Sequence, residues 1–242
     1  MFRLGRKAVI QDSRTVKLSK YLTSVLPTPP VSVDWTKNQT SWGMDLNDTL
    51  GDCTIAGCLH AIQVWSLNAN TEATLPDSTA LEYYEKWDGY NPNDPSSDQG
   101  GILLNVAKNW KNEGLAGHKI ELFASVNHTN QTEVQTAIDL FGGLYIGFNV
   151  PSYIMDDNSK IWDVSNTDNS IEGGHCVYIC GFDQTYLTVI SWGSIYRMTY
   201  NFWKEYVDES YCILSDDWFN KSGVDPAGLN LTQLKTDIGM IR

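Results

Sequence analysis

The chain has 242 residues, 42% of them hydrophobic and 12% aromatic, which is enough apolar mass for a sizeable core in one domain or two closely packed lobes. A formal net charge of −12 argues against binding to phosphate backbones, which depends on Lys and Arg displacing counterions, so no nucleic-acid partner is expected. No apolar run reaches the roughly 18 residues of a membrane span, so no membrane partner is expected either.

Residues 1–29 carry Arg3, Arg6, Lys7, Arg14, Lys17 and Lys20 and end in a Pro-rich stretch. They read as an extended basic arm that packs on the acidic body or reaches a neighbouring subunit; the oligomeric state is left unassigned. The start lacks the continuous apolar stretch of a secretory signal, which gives a cytoplasmic expectation. The Asn-x-Ser/Thr triplets at Asn38, Asn47, Asn127, Asn130, Asn220 and Asn230 are then the chance yield of a chain rich in Asn and Thr.

From residue 30 the pattern is that of a folded domain. Ile55, Cys58, Leu59, Ile62 and Trp65 fall at helical spacing, predicting a helix over 54–68 with Asp52 or Thr54 as its cap. Two more helices are expected over 78–87, opening on a Ser cap, and over 102–112, stopping before Gly114. The turn-rich stretch between them, residues 88–101, is a surface loop. A fourth helix, TEVQTAIDLFG, precedes the β-branched and aromatic runs LYIGFNV, HCVYICGF, TYLTVISW and YCILS. This order predicts an α+β fold: a mainly helical lobe over 30–131, a mainly β lobe of antiparallel, barrel-like strands over 132–242, and a cleft between them.

The five cysteines are Cys53, Cys58, Cys176, Cys180 and Cys212. An odd number without paired short spacings does not describe a disulfide framework. Cys176 and Cys180 lie in an expected strand with no CxxC or HxxxH partner, so no metal is assigned and buried thiols are expected there. No cofactor is implied.

Cys53 stands out because a cysteine at a helix start has its thiolate favoured by the unpaired amides and the helix dipole. An imidazolium nearby would complete an ion pair able to attack a carbonyl carbon and then protonate the leaving amine. His175 is the natural partner, opening an apolar strand directly after Gly173 and Gly174, which let a substrate or a facing lobe approach closely.

The pattern around these two residues resembles the papain-like cysteine peptidases. The segment from Val33-Asp34-Trp35 to Gly51 and Cys53 is similar to the mature start of that family. DQGGILLNVAKNW resembles its N-G-G segment, GGHCVYICGFD its histidine block, and Ser191-Trp192-Gly193 its N-S-W-G segment. The resemblance runs from about residue 30 to about residue 215 and implies the two-lobed fold, a peptide or protein substrate, and hydrolysis of an amide bond. It implies Cys53 as nucleophile and His175 as base, with Gly100, Gly101 and Gly174 along the substrate backbone and Trp192 shielding the base.

The departures are specific. Asn47 stands where the family has its oxyanion Gln, and Leu50 stands where exported members have a disulfide cysteine. Ile190 stands where the family has the Asn that orients the imidazole, so Ser191 or Asp183 must take that role if anything does. Two alternatives stay open: a catalytically silent binding or assembly module, and acyl transfer to an amine by the same pair, as in transglutaminase-like relatives of the fold.

Overall fold

The computed structural model describes residues 3–20, 28–39, 41–71, 73–156 and 159–219. Parts of the expected arm (1–2 and 21–27) and the triplets at Asn220 and Asn230 lie outside the described residues.

The first helix, α1 (Cys53–Asn68), is buried around nearly its whole circumference, as expected of a helix apolar on every face. It lies against β5 (Ile171–Phe182) and β3 (Leu144–Pro151). Gly57 permits the close approach, because a Cβ there would stand 2.9 Å from the Tyr145 ring. At its far end Trp65 stacks on Trp110 at 5.5 Å and meets Tyr178 edge-on at 6.0 Å. Its indole N–H donates to the Phe141 carbonyl at 3.1 Å, so a large aromatic is buried without stranding its polar atom.

Neither expected cap serves α1. The Asp52 carboxylate makes no cap hydrogen bond and accepts instead from Asn47, while the Thr54 hydroxyl donates to Asp88. The second helix, α2 (Asp77–Tyr83), starts after Pro76, not at a Ser cap, and runs on as a wide turn through Tyr84–Asp88 before Gly89 ends it with positive φ. α3 (Leu103–Glu113) stops at Gly114, as its sequence predicts. α4 (Gln131–Phe141) is capped by the Asn130 side chain, which accepts from the Glu133 amide, and ends at Gly142.

β1 (Val33–Asp34) and β2 (Ile120–Ser125) come from the first half of the chain and join the strands of the second. The remaining elements are α5 (Tyr153–Asp156), β4 (Ile161–Trp162), β6 (Tyr186–Ser191), β7 (Ser194–Thr199), α6 (Tyr200–Tyr206) and β8 (Val207–Ser215). The sheet runs β2-β8-β3-β5-β6-β7-β4, with β1 on β5, and every pairing is antiparallel except β4 with β7. The α+β expectation holds, with one correction to its barrel-like lobe: the sheet does not close, because its two ends, β2 and β4, pair with different inner strands and not with each other.

The arm crosses this frame. Arg6 makes a bridge to Gly174 of β5 and another to Gly101, on the loop before α3, so the arm lies as an extra strand between the two segments. Among the described residues no helix is long and apolar enough to cross a membrane.

Candidate functional site

Cys53 is the first residue of α1 and is fully buried. The arm runs past it. The Arg6 amide donates to the Gly174 carbonyl at 2.9 Å, the Lys7 amide to the Gly101 carbonyl at 2.8 Å, and the Gly101 amide to the Gly5 carbonyl at 2.8 Å. Gly5, Gly51 and Gly100 pass so closely that a Cβ on Gly5 would collide with the Gly51 carbonyl, and one on Gly100 with Gly5. Gly100 also holds φ at +72°, a conformation that suits glycine. Gly5 and Gly100 therefore need to be glycine for the arm to seat.

Burial under the arm pushes the Cys53 thiol up to about 12. The Cys176 and Gly5 amides and the Arg6 charge act in the opposite direction, and the neighbouring Asp52 adds to the rise. His175 lies on β5 with its side chain also buried. Burial pulls it down to about 3, assisted by the charges of His60 and Arg6. Burial therefore favours the neutral form of both groups in this arrangement.

Three contacts hold the imidazole. Its Nε2 is 2.8 Å from the Ser191 Oγ, its face stacks on Trp192 at 4.3 Å and 11°, and Phe148 meets it edge-on at 5.7 Å. The second nitrogen, Nδ1, is buried with no hydrogen-bond partner among the described residues, so no hydrogen bond joins it to Cys53. Trp192 reaches the ring because it and Gly193 form the tight turn between β6 and β7 with φ of 45° and 66°, the backbone that two-residue hairpins require.

Ile190 is wholly buried in β6. Successive strand residues point to opposite faces, so with Ser191 directed at His175 the Ile190 side chain faces away. Asp183 is engaged elsewhere, accepting from the Thr185 and Tyr186 amides and pairing with Arg197. Of the two residues considered for the orienting position, Ser191 is the one at the ring. Asn47 is buried near the start of α1, and its amide donates to the Leu50 carbonyl at 3.1 Å and to Asp52 at 3.2 Å. An oxyanion would have to take one of those two hydrogens.

Sequence reasoning missed several residues around this core. Burial pushes Asp52 up to about 8 and Asp88 up to about 6. Asp208, at the start of β8, receives the Arg6 guanidinium. Arg6 was legible as a charge in a basic arm, but nothing in the local pattern pairs it with a carboxylate 202 positions away. No group of His, Cys, Asp and Glu side chains among the described residues is arranged to hold a metal ion.

No model of a known protein family and no curated protein sequence matches the chain. Solved structures do. Xylellain, a cysteine protease from Xylella fastidiosa, superposes with a TM-score of 0.69 at 16% identity, over 88% of this chain and 96% of that one. Procathepsin B S9 from Trypanosoma congolense gives a TM-score of 0.62 at 9% identity, over 88% and 87% of the two chains. The Carica candamarcensis cysteine protease CMS1MS2, solved in complex with E-64, gives 0.55 at 15% identity, over 79% and 100%. The chain has the papain-like cysteine protease fold.

Proposed function

We propose that the chain is a thiol-dependent hydrolase of peptide or amide bonds, held latent here by its own arm. The observation that carries the reading is the extended peptide Gly5-Arg6-Lys7, paired with the backbones of Gly101 and Gly174 beside the residue at the α1 start. A groove that accepts an extended peptide through main-chain hydrogen bonds on both sides is built for peptide substrates.

With the arm displaced, Cys53 attacks the scissile carbonyl carbon and its thiol proton passes to Nδ1 of His175. For that nitrogen to be the acceptor, Nε2 must carry the hydrogen and donate it to Ser191, which fixes both tautomer and ring plane. His175 then gives the proton to the leaving amine, and water hydrolyses the thioester by the same route in reverse. Trp192 keeps water from the imidazole face, the Cys53 amide and Asn47 are the oxyanion donors, and Gly100, Gly101 and Gly174 take the substrate backbone.

The test uses the full chain carrying Gly5→Ala, which ejects the arm by collision with Gly51. The variant should hydrolyse members of a broad peptide panel that the unaltered chain leaves intact, and adding Cys53→Ala should abolish the activity without unfolding the protein. A folded, open variant that cleaves nothing would favour the silent binding module. Thr54 and Asn47, already committed to Asp88 and to the turn before α1, would then be purely structural.

A further inference from the structure

The arm shows more than where a peptide backbone lies. The Arg6 side chain is only 2% exposed, a rare state for a guanidinium unless its site is built for it. Its two terminal nitrogens make a bidentate pair with Asp208, one donating to Oδ1 and the other to Oδ2 at 2.7 Å. Asn149 on β3 donates to the same Oδ2 at 3.1 Å and so fixes the carboxylate plane. The stem has its own space: a Cβ on Gly147 would stand 2.5 Å from Cδ of Arg6, and one on Gly174 3.1 Å from its Nε. Among the described residues, Nε of Arg6 and Oε2 of Glu209, the residue after Asp208, are buried with no hydrogen-bond partner. The pocket therefore combines an oriented carboxylate with two glycines that leave a channel the width of an arginine stem.

We infer that this pocket, with Asp208 at its end, selects peptide substrates bearing arginine at the position Arg6 occupies. The inference rests on the hydrolase reading for its biological sense, but the pocket's selectivity can be measured without turnover. Asp208 keeps 32% of its side chain exposed and borders an open groove of about 530 Å³ between the arm and β8, so the site communicates with solvent. A planar guanidinium satisfies both carboxylate oxygens, whereas lysine offers one point charge and leucine leaves the carboxylate unpaired, which sets the order Arg, Lys, Leu.

Two readouts separate this inference from the hydrolase proposal. The first is fluorescence anisotropy of a labelled octapeptide with the sequence of residues 3–10, bound to the full chain carrying Gly5→Ala and Cys53→Ala. Replacing the peptide's fourth residue, arginine, by leucine should weaken binding about tenfold or more, and Asp208→Asn should erase the difference. The second is a positional scan of fluorogenic peptides on the Gly5→Ala chain, where one position should favour arginine by a similar factor and Asp208→Arg should turn that preference toward glutamate. Should Gly5→Ala fail to fold, Arg6→Ala in the full chain vacates the pocket without touching Gly5. Arginine-dependent binding with no cleavage would sink the hydrolase proposal and leave the pocket standing. Binding or cleavage indifferent to arginine and to Asp208→Asn, or no binding at all, would overturn the pocket.

Discussion

At the scale of single residues, the proposed base His175 is held by a hydroxyl one position beyond Ile190, the place where the peptidases this chain resembles keep an amide. Ser191 meets Nε2 of His175 at 2.8 Å, while Ile190 turns its side chain to the opposite face of β6. Ser191→Ala should lower kcat of the arm-opened chain by about tenfold to a hundredfold with KM little changed, because the lost contact orients the base and does not bind substrate. Ile190→Asn should not restore anything. It places an amide in a fully buried apolar site and should cost about 2–4 kcal/mol in chemical denaturation, with no gain in rate. The imidazole also has a titration signature. Its value in the covered chain lies near 3, below the ordinary 6.5, so the unfolded chain binds the proton over that range while the folded chain does not. This contribution is fully present above pH 6.5 and is lost as pH falls from 6.5 through 3. Subtracting the pH–stability curve of a His175→Asn variant from that of the unaltered chain should isolate a term that declines only in that window.

At the scale of elements, the tightest constraint is α1 against the sheet. Gly57→Leu should destabilise the fold by about 1–3 kcal/mol or more, since even its Cβ would meet the Tyr145 ring at 2.9 Å, and the Cys176 sulfur stands next in line. α1, α3 and α4 were legible to within about a residue, α1 from its apolar periodicity and α3 and α4 with the added signal of a terminal glycine. β2 was not, because IELFAS alternates imperfectly on an edge strand and finds its partner only in β8, some 90 residues on. α6 was hidden as well: Phe202, Trp203 and Tyr206 are strand-favouring residues, and the helix is set by the Thr199 side chain accepting from the Phe202 amide. The continuation of α2 through Tyr84–Asp88 falls within the helix expected over 78–87, but the bond that Tyr84 donates there to Asp98 is a contact no local pattern announces.

At the scale of the whole molecule, a basic arm lies on an acidic body, and the contacts are unequal. Arg3 with Asp98 at 3.4 Å is largely exposed and contributes little, as does the Lys108–Asp12 pair. The part-buried Arg6–Asp208 pair and the main-chain bonds to Gly101 and Gly174 hold the arm. Salt should therefore loosen the arm only slightly, whereas Arg6→Ala should release it, as read by hydrogen exchange at the Arg6 to Lys7 and Gly101 amides. Cys53, His175, Trp192 and both candidate orienting residues were visible in the sequence because short motifs carry them. The path of the arm was not, since its extended backbone is specified by glycines and carboxylates scattered from Gly5 to Asp208.

The proposed role of Cys53, an activatable nucleophile silenced by burial beneath the arm, is open to direct measurement. All five cysteines are free and buried in the covered chain, so one comparison isolates it. The measurement is the rate of iodoacetamide alkylation of each cysteine, followed by mass spectrometry, in the unaltered chain and in Arg6→Ala. Cys53 should be as slow as Cys58 in the unaltered chain. In the opened chain it should react about tenfold faster than Cys58 or more, with its pH profile moved below the ordinary thiol range by the α1 amides and His175. A Cys53 that stays as slow as Cys58 after hydrogen exchange shows the arm released would contradict that role.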